Sequence, residues 1–239
     1  MRYTCRSIIA AAILAASVSA ARAQSAVDPS GHWEGTVQVP DMPVQVEIDL
    51  TRNSRGELSG SFTQTGRLNG LPLANLAADN RSLTFQIKGS PAGERLFKGD
   101  VSEDGQSMTG KFAQAGYSIP FALKRTGDAR VEAAAKSARI AQTLEGTWSG
   151  TLEVNGVTRQ LVLTLANQPD GTSTGSFLNV DEGLELPISA IAQVDSKVTL
   201  DIKAVAGSYS GVVNSEGSEI SGTLEQGSAT LPLTLRKRN

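Results

Sequence analysis

GHWEGT at residues 31–36 comes back as GTWSGT at residues 146–151, and a chain that repeats itself must fold into something that can be built twice. Shifting the sequence by 115 positions lays residues 31–88 on 146–203 without a gap, and a shift of 112 lays 98–127 on 210–239. Across the two stretches 24 of 88 positions are identical, among them Trp33, Gly35, Gly60, Phe62, Pro72, Gly99, Gly110 and Pro120 of the first copy. Identity in so fixed an order exceeds a shared composition bias and marks an internal duplication. The three-residue difference falls in KGSPAGERLF, so the copies differ in one loop length.

Within each copy the period is two. Trp33, Gly35, Val37 and Val39 alternate with His32, Glu34, Thr36 and Gln38, and Val44, Val46, Ile48 and Leu50 alternate with Gln45, Glu47, Asp49 and Thr51, the mark of strands with one wet face. The pattern continues through ELSGSFTQ, LPLANLA, SLTFQIK, LFKGDVS, SMTGKFAQ and YSIPFALKR, separated by turn pairs such as Asp104-Gly105, Ala115-Gly116, Asn155-Gly156 and Asp170-Gly171. Eight short sequential strands suggest an up-and-down meander that closes on itself, because closure removes exposed edges. The predicted fold is all-β: two tandem eight-stranded antiparallel barrels, residues 28–127 and 145–239. DARVEAAAKSARIAQTL, residues 128–144, reads as a short joining helix with an Asp128 N-cap, a Glu132–Lys136 pair and an apolar stripe of Val131, Ala135, Ile140 and Leu144.

Arg2 and Arg6, the apolar run from Ile8 to Val18 and Ala21-Arg22-Ala23 have the form of a secretory signal peptide, residues 1–23, with mature protein from Gln24. An exported protein, periplasmic or extracellular, is the expectation. The apolar run is too short to span a bilayer, and strands of about six to eight residues fall short of the ~9–11 that an outer-membrane barrel uses. No membrane span is therefore expected after signal cleavage. Removing that segment takes three of the 22 Lys and Arg and none of the 24 acids, leaving a net charge of −5. This balance argues against nucleic acid as partner. Cys5 leaves with the signal, and His32 is the one histidine, so the usual zinc and copper ligand sets cannot be assembled. No metal, cofactor or catalytic residue is expected.

Gly31-His32-Trp33 and Gly146-Thr147-Trp148, each answered by basic residues ending the eighth strand (ALKRTG, TLRKRN), resemble the signature of the lipocalins, or calycins. In that family the tryptophan plugs the closed end of an eight-stranded barrel and a basic side chain packs across it. The resemblance implies barrel closure by Trp33 with Arg125 and by Trp148 with Lys237. Copy two, with GTWSGTLEV, DGTSTGSF and SYSGVVNSEGSEISGTLEQ, also resembles the small β domain that precedes the catalytic domain of many secreted bacterial serine α/β-hydrolases. That likeness implies an accessory, non-catalytic module. The departure is the missing hydrolase domain.

If strand one starts at the Trp-closed end, the opposite mouth is bounded by Val39, Gln64, Leu71, Ile87, Phe97, Gln114 and Tyr117 in copy one. Val154, Asn179, Leu186, Ile202, Tyr209, Gln226 and Ala229 take those places in copy two. The inward phase carries Phe62, Phe85, Phe97, Phe112 and Phe121 in copy one but Phe177, Leu200, Tyr209, Leu224 and Leu233 in copy two. The richer aromatic wall and the Tyr117 rim make copy one the expected cup for an apolar probe. A barrel filled by its own side chains is the competing reading. Recurrent inward glycines, including Gly35, Gly99, Gly150 and Gly211, are read as letting tight strands bend. VDEGLE, with Asp181, Glu182 and Glu185, reads as a solvated turn, and His32 as exposed.

Two function classes remain. One is a binding module holding a small apolar or amphipathic ligand. The other is an interaction protein with filled barrels, docking a secreted partner such as an envelope hydrolase or inhibiting a protease.

Overall fold

The computed structural model describes residues 27–130 and 136–238; the expected signal segment, 1–23, lies outside them. The first repeat is a closed antiparallel barrel of eight strands in sequence order: β1 (Gly31–Val37), β2 (Val44–Arg52), β3 (Leu58–Gln64), β4 (Leu68–Asp79), β5 (Ser82–Ile87), β6 (Leu96–Val101), β7 (Ser107–Gln114) and β8 (Tyr117–Gly127). After a two-residue strand, β9 (Ser137–Ala138), come β10 (Gly146–Val154), β11 (Val157–Asn167), β12 (Thr172–Asn179), β13 (Leu184–Pro187) and β14 (Ala190–Val194). The second repeat then finishes with β15 (Lys197–Ile202), β16 (Gly207–Val213), β17 (Glu219–Gln226) and β18 (Ala229–Lys237). β10 through β18 form one nearly closed sheet, with β13 and β14 at its ends.

Those two ends are halves of a single strand position. In the first repeat β4 already divides its bonding, Pro72 pairing with β3 and Leu73 with β5. In the second repeat Ile188 N–H bonds Gly175 O toward β12 and Ser189 N–H bonds Asp201 O toward β15, so the same switch breaks the strand in two. Hairpin chemistry follows the expected pairs. Asn155 (φ 51°) and Gly156 (φ 75°) both take the positive φ that a tight turn matching the twist of its strands requires.

Each barrel has a floor built by the residues just ahead of its first strand. Trp33 is fully buried and donates its Nε1–H to Pro29 O at 2.9 Å; Trp148 does the same to Leu144 O at 3.0 Å. The Arg125 guanidinium lies 4.7 Å from the Trp33 ring and the Lys237 ammonium 5.2 Å from that of Trp148, positions in which a cation meets the negative face of the indole. Arg125 also donates to Asp28 O at 2.8 Å and to Ser30 O, and Lys237 to Thr143 O at 2.7 Å.

The joining helix is not seen. Val131 and Ala135 lie outside the described residues; 136–144 run as an extended strap ending in a 3-10 turn, Gln142–Leu144. The strap is held across the floor of the second barrel. β9 pairs with β12, Ile140 exchanges bonds with the Asn167 amide at 3.0 Å, and Ala141 N–H bonds the Gln193 amide oxygen. Ile140 and Leu144 are buried in the second core. Helix propensity is a local preference of a few tenths of a kilocalorie per residue, and here barrel packing and paired main-chain groups override it.

The two barrels meet at their open ends through a reciprocal contact. Arg95, in the loop between β5 and β6, donates to Glu182 O and Gly183 O at 2.8 Å each, in the turn between β12 and β13. Conversely, β4 of the first repeat meets the 3-10 turn Lys203–Val205 of the second. Leu184 and Ala204 are buried in the first barrel's core cluster, while Leu186 and Val205 pack against both cores.

Candidate functional site

The two interiors differ in how they are filled. In the first barrel Phe97 sits at the centre of the predicted rings, 4.5 Å from Phe112, 4.8 Å from Phe85, 5.4 Å from Phe121 and 5.7 Å from Phe62. All five are buried. Gly99 makes the room for one of them, since a Cβ there would meet the Phe121 ring at 2.8 Å. The rings thus form a solid core with aromatic pair geometry. Gln64 and Gln114 are half-buried near its mouth, and Tyr117, expected on the rim, is 73% exposed. Where copy one was expected to present an aromatic wall to a ligand, its aromatic residues pack on one another.

In the second barrel leucines stand at 200, 224 and 233, where copy one has Phe85, Phe112 and Phe121. Tyr209, matching Phe97, lies over Gly211, where a Cβ would meet its hydroxyl at 2.7 Å. That hydroxyl donates toward Ile220 O (3.2 Å) and Leu233 O (3.1 Å), and burial pushes its pKa up. Phe177 packs edge-on against it at 6.2 Å. With ring volume lost toward the mouth, a cavity of about 270 Å³ remains, walled by Leu152, Leu161, Phe177, Leu186, Ile202 and Leu224.

Polar groups gather at the cavity's rim: Asn179, Glu182, Glu225 and Gln226 of the second repeat, and Arg67, with Leu68 beside it, from the first. Arg67 Nη2 is 3.6 Å from Glu182 Oε2, so the rim carries an ion pair across the repeat boundary. Of the predicted ligand residues, Phe177 and Gln226 line this cavity, Tyr209 packs behind it, and Trp148 lies at the floor. Leu152, Leu161, Leu224, Arg67, Glu182 and Glu225 were not among the sequence candidates. The Phe-to-Leu exchanges between copies were the available signal for the space. Nothing in either repeat alone signals Arg67, which arrives from the other barrel.

VDEGLE is not a freely solvated turn. Asp181 accepts the Gln160 N–H at 2.7 Å, Glu182 pairs with Arg67, and its carbonyl takes Arg95. Burial lowers the Arg95 pKa, against the opposing effect of Glu182 and Glu94. The loop carrying Arg95 is itself braced by the buried Gln86 amide, which donates to Pro91 O (2.6 Å) and Glu94 O (2.8 Å).

His32 is also placed differently from expectation. It is 1% exposed, with Nδ1 2.8 Å from Asp49 Oδ1 and Nε2 3.0 Å from Glu34 Oε1, and Glu47 lies 3.9 Å away. Asp49 Oδ1 also accepts the Arg130 N–H at 2.7 Å, which fixes where the chain leaves the first barrel. Antiparallel register explains the cluster, because His32 stands opposite Asp49 and Glu34 opposite Glu47. Among the described residues no three His, Cys, Asp or Glu side chains are placed to hold a metal ion, and no helix is long and apolar enough to cross a membrane.

GTSTG at 171–175 has the spelling of the nucleophile turn of serine hydrolases, so the motif is present in a chain for which no catalytic residue is expected. Ser173 is 2% exposed in a strand that pairs with β9, its Oγ donating to Ala138 O at 2.7 Å. A strand-to-helix turn exposing the hydroxyl, which that chemistry requires, is not what surrounds it.

No family model and no curated protein matches the chain. Among solved structures, a "putative outer membrane protein" from Bacteroides fragilis NCTC 9343 aligns over 87% of this chain and 97% of its own, at 12% identity and a TM-score of 0.28. A protein of unknown function from the DUF3598 family of Nostoc punctiforme PCC 73102 aligns over 87% and 96%, at 11% identity and a TM-score of 0.24. Similarity at that level carries no argument about function.

Proposed function

We propose that the chain is an exported, non-catalytic, lipocalin-like binding protein whose ligand compartment is the mouth of the second barrel, with the first barrel as a solid companion that supplies part of the wall. The observation that carries this reading is the cavity of about 270 Å³ under hydrocarbon walls and a polar rim, the combination that holds and orients a small apolar or amphipathic molecule. The tryptophan floors with their overlying cations support the lipocalin-like comparison. A saturable fluorescence titration of the full chain with a naphthalene probe tests it. Leu224→Phe, which installs the residue of copy one, is expected to abolish binding while the fold is kept. Equal binding by the wild type and this variant overturns the assignment.

One observation favours the second reading, a module that docks a protein. A groove of about 490 Å³ runs over the outer face of the second barrel, bounded by Ser149, Thr151, Gln160, Val162, Arg236 and Arg238. It is a shallow surface feature, with Arg236 already paired to Glu219 at 3.1 Å, so the interior compartment is preferred.

A further inference from the structure

We propose that the open end of each repeat is a docking surface for a second barrel of its own kind, joined about a pseudo-two-fold axis, and that the Arg67–Glu182 pair on this axis makes an unlike repeat the preferred partner. Such pairing holds whether or not the cavity takes a ligand.

In a two-fold interface a patch meets itself: residue i touches j, j touches i, and a residue that touches its own counterpart stands on the axis. The repeat offset of 115 lays Arg67 on Glu182, and Arg67 Nη2 is 3.6 Å from Glu182 Oε2. Equivalent positions therefore meet each other. Around that point the contacts come in exchanged pairs. Gly89 of the first repeat abuts Glu185 of the second, so closely that a Cβ on the glycine would lie 2.3 Å from the Glu185 Cβ. The counterpart of Gly89 is Ala204, which lies in the 3-10 turn that meets β4 of the first repeat and is buried in the first core cluster. Pro91 lies against Gly183. The counterpart of Gly183 is Leu68, which shares the cavity wall with Val205 and Gly207. Each repeat thus sets the loop after its fifth strand against the turn before the other's fourth.

Like repeats would match less well. Two first repeats would bring Arg67 against Arg67 on the axis, and two second repeats Glu182 against Glu182. Two second repeats would also lack the guanidinium clamp, since Arg95 donates to Glu182 O and Gly183 O and the shorter loop 203–207 holds no arginine. Like charge set against the wrong partner is a source of specificity. Because the Arg67 side chain is 63% exposed and that of Glu182 32%, water screens the pair, and the selection is several-fold and not many orders of magnitude.

The test folds the whole chain with a protease site at 131–135, which leaves Arg130 on the first half and the strap on the second, then cuts it. Native mass spectrometry over a dilution series reads which halves pair. The cut wild type is expected to hold unlike pairs only. Arg67→Glu should weaken that pair roughly tenfold, as an exposed attraction becomes a repulsion, and adding Glu182→Arg should restore it. With Arg67→Gln and Glu182→Gln together, like pairs of the first half, which keeps Arg95, should appear. Wild-type halves that come apart at micromolar concentration overturn the docking surface. Like pairs in the cut wild type, none in the double glutamine variant, or a charge swap that binds no better than Arg67→Glu overturns the axis pair as the selector.

Discussion

The two barrels share strand order and floor, yet the first closes around packed rings while the second, nearly closed, carries a cavity at its mouth. Three inward positions separate them most clearly: Phe85, Phe112 and Phe121 against Leu200, Leu224 and Leu233. In the first barrel those rings close around Phe97. In the second, Tyr209 lies over Gly211, its hydroxyl held by two main-chain carbonyls, and of the three leucines Leu224 lines the cavity. Topology therefore does not decide whether a small barrel is a core or a cup. A few side-chain volumes do, because interiors otherwise pack without voids.

The strongest blow to the comparison comes at the floors, where the barrels are alike. Trp33→Ala and Trp148→Ala are each expected to destabilise their own barrel by about 3–5 kcal/mol, read by denaturant unfolding with probes in each repeat. Unequal losses would show that the shared geometry hides unequal roles. Next, Phe97→Ala should cost about 3 kcal/mol and hollow the first barrel. If a naphthalene probe then binds there as is proposed for the second, ring volume is the whole difference. Smaller again is the cation: Arg125→Met is expected to cost about 1–2 kcal/mol and Lys237→Met about 1 kcal/mol, since Arg125 serves three carbonyls and Lys237 one. Equal costs would assign the effect to the indole contact alone.

The smallest effect is on the strap. The Thr172 hydroxyl, followed by Lys136 and the Thr172 N–H, holds the exposed Asp170 carboxyl down to about 2 from 3.8. A carboxyl depressed in the folded state contributes above its unfolded value and loses that contribution as pH falls through the folded one. Protection of the Ser137 and Ala138 amides, taken relative to the intrinsic exchange rate at each pH, should therefore fall slightly between pH 4 and pH 2. No change across that window would remove Lys136–Asp170 as an anchor.

The strands, the barrel phase and the Trp-with-cation floors were legible because period-two alternation and a repeated Gly-x-Trp are local signals. The packing of the first barrel was not legible, because inward phase counts rings without telling whether they line a space or, like the five that meet at Phe97, touch one another. The course of 136–144 was not legible because the bonds that fix it come from the side chains of Asn167 and Gln193, far downstream in the sequence. His32 looked exposed because alternation reports a face, not what lies across the strand. The acids at Glu34, Glu47 and Asp49, brought into register by a single hairpin, were the overlooked clue.

Main-chain acceptors in the floors bear on the ancestry of the molecule. Trp33 and Trp148 bond the carbonyls of Pro29 and Leu144, and Arg125 and Lys237 those of Asp28 and Thr143. These partners share the 115-residue offset of the repeat although none of their side chains match. A backbone oxygen survives any substitution at its residue, so mutation could erase the text of this segment without touching its bonds. The structural repeat therefore extends upstream of Gly31 and Gly146, past the point where the two sequences stop resembling each other, and each copy carries its own floor.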